Sequence, residues 1–364
     1  MERHTNKIEA GEAVARVSPY CLWFKISLAL VMAVAMANTV ACAKGTSVDA
    51  SAEPKSASSS ASAFAAASAS SSAAAEATSS ALAPAASDNA PLPHIDAKRA
   101  FEYTREVTAF GERYMGNENH KKLERYIVDH LKGDPVEDDA FTADTVEGKF
   151  PVRNIIAKFP GAKDGIIVIM GHYDTNYWLR GTGYVGANDG GSSTAILQEF
   201  ANQLRGKKRD GYSVWLVWTD GEEAVKTWSD TDSLYGARHL AEKWEKDGTL
   251  KKIKALMVMD MIGDADLDID RNTSSTPWLL DLIYAAAERG GYQSHFYARE
   301  GAIEDDHLPF AKRGVPNADV IDLDYGYNNV FHHTPQDTMD KLSPQSLEIV
   351  GNTIMETIHL LDQR

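Results

Sequence analysis

Five residues of two chemical kinds stand at comparable places along this chain. They are His172, Asp189, Glu223, Asp260 and His333. Three of them sit at or just past the end of an apolar run. Ile166–Met170 leads through Gly171 into His172, 213–218 is followed by Asp220-Gly-Glu-Glu223, and 254–259 runs directly into Asp260. Two imidazoles and three carboxylates form a nitrogen-and-oxygen donor set. Such a set suits catalytic zinc, which keeps one coordination position open, whereas calcium and magnesium favour all-oxygen shells. Crowded carboxylates repel one another, and a bound dication removes that cost. Both cysteines, Cys21 and Cys42, precede the region that carries these residues. A metal here is therefore held by His, Asp and Glu, without thiolate.

Taken singly, each residue has an ordinary structural reading. His172 reads as a core histidine, Asp189 as part of a Gly-rich turn, and Glu223 and Asp260 as caps at strand ends. Asp337 and Asp340 are read that way. His307 either meets substrate or packs beside Pro309 and Phe310, and packing is the reading taken. Taken together, with three of them at successive strand ends, the five carry the metal reading.

The elements that must position them are legible as periodic segments. Helices are expected at 97–110, 119–131, 193–204, 234–244, 277–288 and 343–361. Strands are expected at 152–159, 165–170, 213–218, 254–259 and 320–323. The uninterrupted apolar strands suit burial on both faces, and their alternation with helices implies an α/β sandwich, a mostly parallel sheet flanked by helices. In such sheets the ligand crevice lies beyond the carboxyl ends of the strands, where the His and acidic residues fall.

The front of the chain reads differently. After Lys25, residues 26–41 are uncharged and mostly apolar, too short for a spanning helix and suited to a signal-peptide core. Ala41-Cys42-Ala43 fits a cleavage site, and Val40-Ala41-Cys42 resembles a lipoprotein box with Cys42 as the lipid-bearing residue. A retained anchor is the third option. All three place the remainder outside the cytoplasm, periplasmic, membrane-anchored or secreted. Residues 43–92 are almost wholly Ala, Ser and Pro, which bury too little to offset their ordering entropy and read as a tether. The organisation expected is thus a signal over 1–42, a tether over 43–92 and a catalytic domain over 93–364. The formal net charge of -15 excludes nucleic acid as a partner.

The motifs Gly171-His-Tyr-Asp-Thr175, Gly186-Ala-Asn-Asp189, Asp220-Gly-Glu-Glu223, Asp260-Met-Ile-Gly263, Asp306-His-Leu-Pro-Phe310 and His333-Thr-Pro-Gln-Asp-Thr338 occur in this order. The chain resembles the zinc aminopeptidase family that also contains the animal glutaminyl cyclases, over about residues 95–360. The resemblance implies a single three-layer domain with a mixed, mostly parallel central sheet. The stretch from Trp218 to Ala241 is similar to the cyclase branch. That implies Asp189, Glu223 and His333 as ligands of one zinc, Glu222 as general acid/base, Asp306 as the group holding the reacting amide, and Trp228 as a wall of the substrate pocket. Asp174 is expected to orient His172.

Three features depart from the cyclase pattern. His332 stands where that pattern has Trp, and is expected beside the substrate. The cysteine pair of the animal cyclases is missing, and Gly190-Gly191 after Asp189 resembles the aminopeptidases. In an aminopeptidase, His172 and Asp260 would complete a second zinc site with Asp189 shared. The expectation is a cyclase converting N-terminal Gln of peptides to pyroglutamate, with a di-zinc aminopeptidase as the alternative. Either acts on peptide or protein N-termini. A passive metal-binding lipoprotein is disfavoured, because Glu222 beside the ligand Glu223 has no use there.

Overall fold

The computed structural model describes residues 90–364. The expected export segment, Cys42 and almost all of the tether lie outside the described residues. The helices are α1 (Ala97–Thr108), α2 (Glu118–His130), α3 (Gly191–Leu204), α4 (Tyr235–Asp247), α5 (Pro277–Gly290), α6 (Leu308–Ala311) and α7 (Pro344–Asp362). The strands are β1 (Val136–Thr145), β2 (Gly148–Phe159), β3 (Gly161–His172), β4 (Arg209–Thr219), β5 (Ile253–Asp260), β6 (Ile269–Asn272), β7 (Phe296–Gly301) and β8 (Asn317–Ile321).

Six strands form one sheet in the order β1-β2-β4-β3-β5-β8. β1, β2 and β4 pair antiparallel, and β4, β3, β5 and β8 run parallel, so the sheet is mixed as the family resemblance implied. β6 and β7 make a separate two-stranded piece. Successive side chains of a strand point to opposite faces. Ile167, Ile169, Leu216, Trp218 and Met257 accordingly join one buried cluster with residues of α1, α3, α5 and α7. Val168, Met170, Val217, Leu256 and Val258 join another with Ala237, Leu240 and Trp244 of α4 and Phe310 of α6. This is a three-layer sandwich.

Register puts the functional strand ends side by side. His172 at the end of β3 faces Thr219 at the end of β4, and Asp260 at the end of β5 faces Ile321 at the end of β8. Four strands differ from expectation. β1 was not anticipated, because only Asp139 and Ala143 of its ten residues are buried. The short β6 and β7 carry too few residues for a periodic signal. The last sheet strand begins at Asn317 rather than Val320, since its polar Asn317 and Asp319 are buried and hydrogen-bonded to Thr276, Ser275 and Asn272.

Candidate active site

Asp189 lies at the centre of the donor set. Its Oδ1 is 3.0 Å from His172 Nε2, and its Oδ2 is 3.3 Å from His333 Nε2. His333 Nε2 is also 3.3 Å from Glu223 Oε1, and His172 Nε2 is 3.2 Å from Asp260 Oδ1. The five predicted ligands therefore meet as two trios that share Asp189. Glu223 Oε1 and His172 Nδ1 are buried without a hydrogen-bond partner. Orphaned buried polar atoms demand an explanation, and a cation held by this imidazole and carboxylate set supplies one for Glu223. The residues fit zinc.

Each ligand is held by its own support. Tyr184 donates its hydroxyl to Asp189 Oδ2 at 2.5 Å, and Asn176 donates to Glu223 Oε2 at 2.6 Å. Asp337 accepts the backbone N–H groups of Asn188 and Asp189 at 2.8 and 3.2 Å, which fixes the Asp189 turn. Its structural reading thus holds a ligand in place. Gly190, at φ 74°, caps α3, and a Cβ there would stand 2.8 Å from Asp174 O and 2.9 Å from the His172 ring. Packing alone requires this glycine, so its presence does not single out a two-metal site. His333 adopts a positive φ of 52°, uncommon outside glycine, to turn its ring toward Asp189 and Glu223.

Glu222 and Glu223 sit on the loop between β4 and α4. The loop carbonyls of Asp220, Gly221 and Glu222 accept the backbone N–H groups of Gly236, Tyr235 and Leu234 at 3.0, 2.7 and 2.7 Å. This satisfies the first donors of α4, which have no partner within the helix. Asp174 accepts the backbone N–H of Glu222 at 3.1 Å and of Glu223 at 3.3 Å. It stands 3.5 Å from His172 Nδ1 without a hydrogen bond to it. The expected link to His172 is therefore a near approach, while the carboxylate itself clamps the loop.

A cavity of about 410 Å³ opens onto these groups. Asp189, Glu222, Glu223, Asp260 and His333 line it, with Trp228, Ile303, Leu323 and His332 as walls. Asp305 lines it as well, whereas the expected Asp306 does not. Asp306 is fully buried and accepts the Thr219 hydroxyl at 2.5 Å. Consecutive residues of this turn point to different sides, and Thr219 at the end of β4 captures the second. Sequence reasoning missed Asp305, although the adjacent Glu304-Asp-Asp-His307 run signalled that a carboxylate was in play. His307 is buried away from the cavity, its Nδ1 3.9 Å from Asp319.

The charges explain one another. Burial lifts the Glu222 carboxyl well above its ordinary value, and nearby Glu223, Asp305 and Asp306 add to this against His172. Burial and Asp189 raise Glu223 to about 7 against the pull of His333. Burial opposes ionisation of Asp189, yet the His172 and His333 imidazoles hold it well below the usual range. Burial lowers His333, but Glu223 and Asp189 raise it to about 11. Coordination needs neutral imidazole, so metal uptake displaces protons from this site.

A mixed α/β sandwich that gathers two imidazoles, three carboxylates and a further glutamate at the carboxyl edge of its sheet defines a metal-dependent enzyme scaffold. The sequence profile of peptidase family M28 matches residues 154–358, and the chain belongs to that family. It is 34% identical over 254 residues to a glutaminyl-peptide cyclotransferase of Drosophila melanogaster, covering 62% of this chain and 70% of that protein. It is 50% identical to an Acidobacteriales bacterium glutaminyl cyclase of known structure, with a TM-score of 0.74 over 78% of this chain and all of the other. A Zn-dependent exopeptidase from Parabacteroides distasonis, 24% identical, shares the fold with a TM-score of 0.66 over 75% of this chain and all of the other.

Proposed function

We propose that the chain is a zinc-dependent glutaminyl-peptide cyclotransferase, which closes an N-terminal Gln into pyroglutamate and releases ammonia. The observation that carries this reading is one cavity lined together by Glu222, by the Asp189, Glu223 and His333 donors and by Trp228. The two cyclase relatives support it. Bound zinc would act as a Lewis acid on the γ-carboxamide carbonyl. Asp189, Glu223 and His333 are the residues that would hold it. Glu222 accepts a proton from the α-amine as its nitrogen bonds to the carboxamide carbon, Cδ. Glu222 then returns a proton to the departing amide nitrogen, which leaves as ammonia. A carboxyl group with a raised pKa suits both halves of that exchange. Asp305 would hold the amide N–H groups, and Trp228 and His332, which line the same cavity, would wall the substrate.

A second reading is a two-zinc aminopeptidase. It rests on the trio His172, Asp189 and Asp260, whose contacts of 3.0 and 3.2 Å define a neighbouring metal position. Ammonia release from a Gln-initiated peptide, abolished by chelator and restored by zinc, supports the first reading. Release of free Gln supports the second. For the front of the chain the proposal is export, with Cys42 as the lipid-bearing residue. A Cys42→Ser chain that stays as membrane-bound as the native one contradicts that lipid anchor.

A further inference from the structure

The wall formed by Trp228 has a second side. The same indole and Glu304 also border a depression of about 600 Å³ outside the active-site cavity. The indole N–H donates to the Glu304 carboxylate at 2.8 Å. Two side chains are therefore common to both spaces. The outer depression is bordered by residues 141–144 of β1, the first turns of α4 and the α6 segment. Four consecutive residues of a strand point alternately to its two faces, so β1 meets the depression along its edge. β1 is the terminal strand of the sheet, and an exposed strand edge offers main-chain donors and acceptors to an extended chain.

The charged groups around this space are already engaged with one another. Lys312 pairs with Asp230 at 3.1 Å, Arg313 with Glu245 at 3.0 Å, and Arg238 donates to the Asp230 and Thr231 carbonyls. Apolar surface comes from Phe141 and Leu308. A peptide whose first residue fills the inner cavity must continue outward past its rim.

Resting on the cyclase reading, we propose that this depression is the cleft for the residues that follow the N-terminal Gln, taken as an extended chain. It recognises main chain and apolar side chains, not charge. A dipeptide fills only the inner cavity, while a pentapeptide fills both.

The test compares Gln-Ala amide with Gln-Ala-Leu-Ala-Leu amide on the full zinc-loaded chain. The expected result is a kcat/KM about tenfold higher for the longer peptide, carried by KM, the scale of one or two additional apolar contacts. Thr142→Trp, on the exposed part of β1, is expected to bring the ratio of the two peptides toward one. Equal kcat/KM for both peptides with the native chain overturns the cleft. Calorimetric binding of the same pair to the Glu222→Gln chain reads the cleft without turnover, and equal affinities there likewise overturn it. Absence of ammonia from both peptides, with the longer still bound more tightly, counts against the cyclase reading and leaves the cleft standing.

Discussion

His120 Nε2 lies 2.7 Å from Asp220 Oδ1, a contact between residues a hundred positions apart with both side chains buried. The other ring nitrogen stands 3.1 Å from Glu124, and the ring stacks on Tyr173 at 5.1 Å. Asp220 Oδ2 accepts the Arg153 backbone N–H at 2.8 Å. This carboxylate, imidazole, carboxylate chain anchors the start of the loop that carries Glu222 and Glu223. Burial lowers the His120 pKa, yet Asp220 and Glu124 outweigh it and raise it to about 10. The folded value exceeds the unfolded one of 6.5. The imidazolium's contribution is therefore in place near pH 6.5, while Asp220 is ionised, and it falls as pH rises toward 10. Unfolding temperature should fall less steeply across this window in His120→Gln than in the native chain. His120→Ala leaves Asp220 buried and unpaired, a cost of about 3–5 kcal/mol.

Glu222→Gln keeps the shape of the cavity and removes the proton acceptor. Turnover should drop by about 10²–10⁴-fold, the range of general acid–base assistance, while bound zinc measured by mass spectrometry stays at the native level. Retained turnover would remove Glu222 from the chemistry.

Asp305 and Asp306 are neighbours with separate environments. Asp305→Asn should lower kcat/KM by about tenfold or more, because it alters a cavity wall. Asp306→Asn disturbs the contact with Thr219 below that wall and should appear first as a lower unfolding temperature. Measuring both quantities for both variants separates the two positions, and the reverse pattern would restore Asp306 as the substrate contact.

Metal stoichiometry distinguishes the shared-ligand trios. If one zinc occupies Asp189, Glu223 and His333, Glu223→Ala should lose it and Asp260→Asn should keep it. A two-zinc site would instead lose one of two ions on Asp260→Asn. Elemental analysis of the three proteins reads this directly.

Strands such as Ile166–Met170 were legible because both faces are buried, so apolarity runs without interruption. Three of the ligands, His172, Glu223 and Asp260, followed from them, since a His or acid just beyond a buried strand has few structural uses in combination. β1 was illegible for the opposite reason, as an edge strand rich in Asp that buries two side chains. Asp305 and Asp306 are indistinguishable by spacing, because an irregular turn has no period to assign their directions. His120 gave no signal at all. It is one of two histidines on an amphipathic helix, and its role exists only through contact with Asp220 and Glu124. Gly190 invited a two-metal reading, whereas its φ and its approach to His172 supply a packing reason.

The central claim is ring closure at the first residue with Glu222 as proton carrier. Mass spectrometry of a Gln-initiated peptide incubated with the zinc-loaded chain tests it most directly. The expected product is lighter by one ammonia, with no free Gln released, and the peptide stays unchanged when a chelator is present or Glu222 is replaced by Gln. A product shortened by its entire first residue would contradict it and establish hydrolysis.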